Sequence, residues 1–343
     1  MQNITLNARF YSHIPTGMQR YGLEMVKRMS GDLDVVRPSR PLSGPEGHLW
    51  EQFYLPAASR GRLLWSPNNT GPIAVQRQVC TMHDIIPVEH PEWFNPRFAA
   101  WYAWLLPRLL KRVDHLIAVS QFTKERIVEK FGVDQSKISV VWNGVDDQFR
   151  PRTEAEIDNV REALGIKSKN YILCLGSLEP RKNVPRLLQA WDLISRQLPD
   201  EVELVISGKV GASKVFSSAG LSEIPERVHF TGYVNQEQLP ALYSGALALV
   251  YPSLYEGFGL PPLEAMACGT AVVTSASTSL QEVVGDAAVL VDPLDIGSIA
   301  ESIVAVVENE ALRHDLSKRG LERAQNFTWD RSADATREIL LRF

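Results

Sequence analysis

The sequence predicts an α/β protein made of two Rossmann-like domains, each a doubly wound parallel sheet, that face each other across a cleft. Short apolar runs alternate with amphipathic helical stretches along the whole chain, which is typical of parallel sheets with helical crossovers. The length of 343 residues exceeds what one hydrophobic core usually organises. The alternation also breaks once, between residues 146 and 169, before a new buried strand begins at Tyr171.

The predicted strands form two series, separated by this break. The first series comprises 33–37, 62–65, 78–82, 115–119 and 138–141, after an initial strand that precedes Gly17. The second series comprises 171–176, 202–207, 228–230, 247–251, 271–274 and 288–291. We therefore predict domains at 1–155 and 156–326, and a C-terminal helix at 327–343 that crosses back to the first domain.

Composition and charge exclude several classes of protein. Hydrophobic residues make up 45% and charged residues 22%, as in a compact globular protein. Residues 1–150 carry a formal charge of +4 and the remainder −8, which is too mild for a nucleic-acid-binding protein. The odd, widely spaced cysteines Cys80, Cys174 and Cys268 favour reduced, buried thiols. Since no signal peptide or membrane span is evident, we expect a cytoplasmic protein.

The most informative segment, 251–270, joins a strand to a helix through a glycine loop. Pro261 and Pro262 suit a first helical turn and Gly269 suits its C-terminal end, so the helix should begin near Leu260. Free N–H groups at this helix start and in the loop 257–259 would form a cradle for a phosphate. Glu256 and Glu264 flank the cradle, and lone glutamates in such a turn are usually solvated.

The spacing of Glu256 and Glu264 within SLYEGFGLPPLEAMACG resembles the donor motif of the retaining family 4 glycosyltransferases, a group with the GT-B fold, and especially its mannosyltransferase-like group 1 members. The resemblance covers nearly the whole chain. It implies an N-terminal acceptor domain and a C-terminal nucleotide-sugar domain. It also implies that Glu256 contacts the sugar and Glu264 the ribose, with the backbone of Gly257, Phe258, Gly259 and Leu260 close to the sugar and phosphate.

A second match, Gly176-Ser-Leu-Glu-Pro-Arg-Lys-Asn, follows the first strand of the second domain. Arg181 and Lys182 could stabilise a departing diphosphate without a metal, as the family resemblance implies. The alternative is a solvated turn, in which Asn183 caps the following helix; we adopt the cap for Asn183 in either case. Tyr233 and Val234 resemble the family's base-binding turn and are expected to line the nucleobase through their backbone.

In the first domain, His83 and Asp84 follow an apolar strand, where α/β clefts concentrate function. The resemblance implies that His83 touches the donor sugar, whereas a buried, satisfied histidine is the alternative. We place Asp84 on the acceptor side. Gly17 lies in a loop that the family closes over the phosphates, although the G-x-G-x-x-G spacing is missing. Ser120 reads as the N-cap of a helix over 121–131.

The stretch 93–112 interleaves six aromatic side chains with four cations. Such a helix could lie on an anionic membrane surface, which would place the protein on the inner face of the membrane and suit a lipid-linked acceptor. The alternative is a crossover helix that packs its aromatic residues against the sheet. Both interpretations stay open.

Taken with the resemblance, these motifs predict a retaining transferase that moves a hexose from a nucleoside diphosphate sugar to a glycan hydroxyl in surface polysaccharide assembly. GDP-mannose is the first expectation and a UDP-sugar the alternative. No metal or other cofactor is expected, because Asp32 and Asp34 read as a surface turn and Arg181 and Lys182 supply the charge. A catalytically silent sugar-nucleotide-binding protein is the rival from another class, while epimerase and phosphorylase patterns are missing.

Overall fold

The computed structural model describes residues 4–12, 17–42, 44–176, 179–208 and 224–343. These residues form two compact units. The first comprises residues 1–144 and 327–343, and the second comprises residues 145–326. Each unit contains one six-stranded sheet in which every observed strand pair is parallel.

The first unit is built on a sheet with the strand order β2-β1-β3-β4-β5-β6. Its strands are β1 Ile4–Asn7, β2 Leu33–Val36, β3 Leu63–Ser66, β4 Gln78–Met82, β5 His115–Ala118 and β6 Ile138–Val140. The strand order reverses between β1 and β3, which makes the carboxyl ends of these two strands the topological switch point where α/β sheets bind ligands.

Helices cover both faces of this first sheet. They are α1 Gly17–Met29, α2 Gly44–Leu49, α3 Leu55–Ala58, α4 Ile86–Glu89, α5 Pro96–Arg112, α6 Gln121–Phe131 and α14 Trp329–Leu340. A π-helical turn, Trp50–Tyr54, joins α2 to α3. On one face Tyr21 and Met25 pack with Trp329 and Ile339. On the other face α5 and α6 pack through aliphatic side chains, so the unit is doubly wound.

The second unit has the strand order β12-β11-β10-β7-β8-β9. Its strands are β7 Asn170–Leu175, β8 Val202–Ser207, β9 Val228–Gly232, β10 Ala248–Tyr251, β11 Ala271–Ser275 and β12 Val289–Val291. Its described helices are α7 Glu154–Ala163, α8 Val184–Ile194, α9 Leu239–Ser244, α10 Leu260–Ala267, α11 Thr278–Val284, α12 Ile296–Glu308 and α13 Glu310–Ala324. Counted within the unit, this is the 3-2-1-4-5-6 order of dinucleotide-binding folds, with its switch point between β7 and β10.

The unit boundary lies earlier than the predicted one. Residues 145–155 belong to the second unit. The ring of Phe149 lies 6.1 Å from that of Tyr243, and Ile157 packs so closely on Gly245 that a Cβ there would lie 2.5 Å from it. The charged stretch that suggested a linker is therefore not a linker. It packs against the second unit and forms its N-terminal part.

The predicted fold class and all the predicted strands are confirmed, with ends that differ by at most two residues. The three cysteines are free and buried as predicted. Ser120 accepts the Thr123 N–H as the N-cap of α6. The segment 44–58 was not predicted to be helical. Within the described residues, no helix is long and apolar enough to cross a membrane.

Candidate active site

The predicted donor residues of the second unit converge on the switch point of its sheet. Arg181 and Lys182 lie in the loop that follows β7, and Glu256 lies in the loop that follows β10. The two strands are neighbours, so their carboxyl ends bring together residues that are 74 and 75 positions apart in sequence. The sheet topology itself assembles this cluster.

Backbone hydrogen bonds fix the two loops against each other. The Leu254 N–H donates to the Arg181 carbonyl at 2.7 Å, and the Ser253 hydroxyl oxygen lies 2.8 Å from the same carbonyl. Gly176 packs closely on the second cation, because a Cβ there would lie 3.1 Å from the Lys182 side chain and would displace it slightly. The loop that carries the two cations is therefore held against the loop after β10. Ser177 and Leu178 of the same motif lie outside the described residues.

Asn183 does not cap α8 as predicted. It occupies the N-cap position in the left-handed conformation, with φ of 58°, and its side chain makes no cap hydrogen bond. Its Nδ2 instead donates to the carbonyls of Pro252 and Pro293 at 3.0 and 2.7 Å. The Asn183 amide thereby links the loops after β7, β10 and β12. It also supplies the hydrogen-bond donor that each of these two carbonyls needs.

The Glu256 carboxylate is buried among four donors. Its Oε2 accepts from Arg181 at 2.8 Å, and its Oε1 accepts from Lys182 at 2.7 Å and from the hydroxyls of Tyr251 and Ser253, both at 2.8 Å. Burial alone raises the pKa of this carboxyl, but the two cations outweigh burial and hold the pKa at about 2. Glu256 is thus an anion under physiological conditions.

Lys182 and Glu256 contact each other, and both contact the Tyr251 hydroxyl. The Lys182 ammonium lies 4.8 Å from the centre of the tyrosine ring. Burial lowers the pKa of Lys182 and the Glu256 carboxylate opposes that shift. Tyr251 and Ser253 were not predicted as site residues from the sequence. The feature that could have indicated them is a pair of hydroxyl side chains five and three residues before Glu256.

The helix start after the glycine loop is found at Leu260, as predicted. Gly259 has φ of 108° and a Cβ there would lie 2.7 Å from Leu280, so only glycine fits. Pro261 and Pro262 have no N–H to contribute to the predicted phosphate cradle, which stays a prediction. Leu260 supplies the remaining N–H of these three positions.

Glu264 is buried, like Glu256, so the solvated-turn alternative is wrong for both. Glu264 is 4% exposed and its Oε2 accepts from the Tyr243 hydroxyl at 2.9 Å. Burial and the neighbouring Glu264 carboxylate raise the pKa of Tyr243 well above its ordinary value, so the phenol remains a donor. Tyr233 and Val234 follow β9 at the same edge of the sheet, the first 59% exposed and the second buried.

His83 lies at the carboxyl end of β4 in the first unit and is buried. Its Nε2 lies 2.8 Å from the Pro67 carbonyl, which can only accept, so Nε2 carries the proton and Nδ1 the lone pair. Burial lowers the pKa of His83 to about 4. The Asp84 Oδ1 accepts from the Ile86 N–H, which initiates α4. Gly17 is the first residue of α1, and residues 13–16 of its predicted loop lie outside the described residues.

The buried His83 predicts a pH-dependent stability. The folded protein keeps the ring neutral down to about pH 4, whereas the unfolded chain binds a proton near pH 6.5. The unfolded state therefore holds more protons in this window, and stability is lost as the pH falls through it. Lowering the pH from about 7.5 to about 5 should cost about 2 kcal/mol through this group. Urea unfolding of the wild type and of His83→Gln measures it; an equal pH dependence in both would contradict the assignment.

Asp32 lies in the turn before β2, and Asp34 lies within β2. Asp32 pairs with Arg337 at 2.9 Å and Asp34 pairs with Arg62. Among the described residues no group of three or more histidine, cysteine or acidic side chains could hold a metal ion.

Comparison with known proteins places this geometry in a family. Residues 156–323 match the family model of group 1 glycosyl transferases, and residues 48–149 match that of glycosyltransferase family 4. O-antigen chain mannosyltransferase B of Escherichia coli is 34% identical over 276 residues, which cover 79% of this chain and 71% of that protein. The mannosyltransferase WbdA of Escherichia coli is 32% identical over 75% of this chain, which spans about a third of WbdA, 32% of its length.

A solved structure shows the same fold over the whole chain. HepE of Anabaena, in complex with UDP and glucose, has a TM-score of 0.76 and 19% identity, with complete coverage of both chains. The fold is therefore GT-B, as predicted. On the matched family models and the identity to mannosyltransferase B, the chain is a glycosyltransferase and belongs to the group 1, family 4 glycosyltransferases.

Proposed function

We propose that the chain transfers mannose from GDP-mannose to a hydroxyl of a growing surface glycan, with retention of the anomeric configuration. The observation that carries this proposal is the cluster of the buried Glu256 with the partly buried Arg181 and Lys182 at the switch point of the second sheet. Mannose is supported by the two relatives, an O-antigen chain mannosyltransferase and a serotype-specific mannosyltransferase. A UDP-sugar is the alternative donor, since HepE binds UDP.

The cluster fits a leaving diphosphate. When the bond between the sugar C1 and the phosphate oxygen breaks, negative charge develops on the diphosphate, and Arg181 and Lys182 neutralise it from fixed positions. The acceptor oxygen bonds to C1 on the same face, and its proton passes to the departing phosphate oxygen. Glu256 forms ion pairs with both cations. When the diphosphate also binds these cations, Glu256 positions the sugar.

The nucleoside and the sugar have separate contacts in this proposal. Glu264 binds the ribose, with Tyr243 fixing its carboxylate, and the backbone at Tyr233 and Val234 lines the base. Gly176 and the loop from Gly257 to Leu260 let the donor approach the backbone. His83 accepts a sugar hydroxyl through its Nδ1 lone pair, and Asp84 stands on the acceptor side.

Because two side-chain cations meet the diphosphate, we expect transfer without a metal. Activity should persist in EDTA at the rate found without it, since no step needs a bound ion. Release of nucleoside diphosphate with and without EDTA tests this. Loss of activity that manganese restores would contradict it.

We further propose contact of the first unit with an anionic membrane surface. The helix Pro96–Arg112 carries four cations and no acidic residue. Trp104 is 44% exposed, and the Arg108 guanidinium lies 4.7 Å from its ring centre. The Trp101 ring stacks on Trp104 at 5.1 Å. The opposite face of α5 packs on the sheet as the crossover interpretation predicts, mainly through aliphatic side chains, with Tyr102 buried and Trp101 partly buried against the same core.

Vesicles distinguish this contact from a solvated helix. The protein should sediment with vesicles containing phosphatidylglycerol and not with phosphatidylcholine alone, because each Lys or Arg near an anionic surface contributes about 1 kcal/mol. Trp104→Ser with Arg108→Gln should reduce binding at least about tenfold. The matched control is Arg60→Gln, another exposed cation of the first unit. Equal sedimentation of the double variant and the control would contradict a membrane contact through α5.

The nucleotide is tested by thermal shift against GDP, UDP, ADP and TDP. A ligand present at 100 times its Kd stabilises the folded state by about 2.7 kcal/mol. GDP should give the largest shift. A larger shift with UDP would favour a UDP-sugar as the donor. No shift with any of the four nucleotides would contradict the proposed nucleotide-sugar site.

A further inference from the structure

The first unit contains a cavity of ≈ 220 Å³ at the switch point of its own sheet. Asn7 at the end of β1 and Asn68 after β3 contribute to its floor, and α2 and α5 contribute His48 and Tyr102. Parallel sheets bind ligands at this position. None of the residues predicted from the donor motifs lines the cavity.

A buried, neutral ion pair forms one wall. Glu51 is 1% exposed, and its carboxylate accepts from Asn7 at 2.7 Å, from Thr70 at 2.9 Å and from Arg9 at 3.3 Å. Burial raises the pKa of Glu51, but the Arg9 charge and the Asn7 hydrogen bond oppose burial, and the pKa is lowered overall. The Arg9 charge is therefore balanced within the wall, which leaves little net attraction for an anion.

His48 presents a hydrogen-bond donor in this cavity. Its Nδ1 lies 3.0 Å from an Arg9 nitrogen and 3.1 Å from the indole nitrogen of Trp101. Arginine and tryptophan can only donate, so Nδ1 accepts and the proton of the neutral ring lies on Nε2. In the described part of the chain this N–H has no hydrogen-bond partner.

Two more polar groups at the cavity lack partners. Tyr102 is 9% exposed, and its hydroxyl makes no hydrogen bond to any described residue. The Asn68 Oδ1 is buried without a partner, while its Nδ2 donates to the Met18 carbonyl at 2.9 Å. A buried acceptor without a partner, such as the Asn68 Oδ1, calls for an explanation such as a ligand or water.

We propose that this cavity binds one pyranose ring of the acceptor glycan. A sugar hydroxyl donates and accepts at once, so it can satisfy the Asn68 acceptor together with the His48 and Tyr102 donors. The rings of Phe98 and Phe10 add an apolar wall for the C–H face of a sugar. The balanced charge of Arg9 and Glu51 selects a neutral ring over a phosphate. The acceptor role rests on the proposed function.

The test is Tyr102→Phe, which removes only the unpartnered hydroxyl. The KM for a synthetic α-mannobioside acceptor should rise about 3- to 10-fold, the effect of one neutral hydrogen bond. The KM for GDP-mannose and the melting temperature should not change. The matched control is Tyr54→Phe, an exposed tyrosine outside the cavity, which should behave as the wild type.

Direct binding separates this inference from the proposed function. Methyl α-mannopyranoside, followed by saturation-transfer NMR on the full chain, should bind the wild type, bind Tyr102→Phe more weakly and persist in saturating GDP. If no donor is turned over but this pattern is found, the cavity remains a sugar site and only the proposed function fails. Binding that is equal in both proteins, is displaced by GDP, or is undetectable overturns the inference and leaves the cavity to water.

Discussion

Lys182→Ala should lower the rate of glycosyl transfer by about 10²- to 10³-fold while the protein still folds. The ammonium lies 2.7 Å from Glu256 and contacts Tyr251 at the carboxyl end of β10, where the leaving diphosphate is proposed to bind. Its loss removes a fixed charge that acts most strongly on the developing negative charge, so kcat should fall more than KM rises.

The fold should survive because Glu256 keeps Arg181, Tyr251 and Ser253 as donors. Initial rates at saturating donor, with circular dichroism and a melting curve, measure both effects. Lys167→Ala is the matched control, since Lys167 is an exposed lysine of the same unit. A Lys182→Ala rate within about threefold of the wild type would exclude Lys182 from the site.

Glu256→Gln and Glu264→Gln should fail in different ways. Glu256 pairs with Arg181 and Lys182, so its replacement leaves Lys182 without its paired carboxylate and Arg181 paired with Glu179, and should lower the melting temperature. GDP supplies the missing negative charge and should bind at least as tightly as to the wild type. Turnover of the intact donor should fall by about 10²-fold, because only the donor carries the sugar that Glu256 positions.

Glu264→Gln should instead weaken GDP and GDP-mannose alike, by about 10- to 100-fold, the effect of a hydrogen bond to a charged group. The Tyr243 hydroxyl can still donate to the Gln oxygen, so the fold is retained. Calorimetry with both ligands on both variants makes the comparison, and Glu301→Gln on the exposed face of α12 is the control. If Glu256→Gln lost GDP binding and Glu264→Gln kept it, the proposed donor orientation would be reversed.

The architecture was predictable because buried parallel strands are continuous apolar runs, which the sequence displays directly. Gln78–Met82 and Val202–Ser207 match their predicted bounds. The helix start at Leu260 was equally predictable, because two prolines and a glycine specify it locally. These features depend on neighbours in sequence.

The partners of the site residues were not predictable in the same way. Arg181 and Lys182 meet Glu256 only because β7 and β10 are adjacent, and strand order is a property of the whole sheet. Asn183 looked like a helix cap, yet its amide bridges two distant carbonyls. The first-unit cavity combines residues from β1, α2, α5 and the segment after β3, none of which forms a motif.

The most direct test of the proposed function is an NMR analysis of the product formed from GDP-α-mannose and an α-mannobioside acceptor. We predict release of GDP together with a new mannose residue in α linkage, which is the configuration of the donor. A β-linked product would contradict retention. Consumption of UDP-sugars with GDP-mannose left intact would contradict the proposed donor.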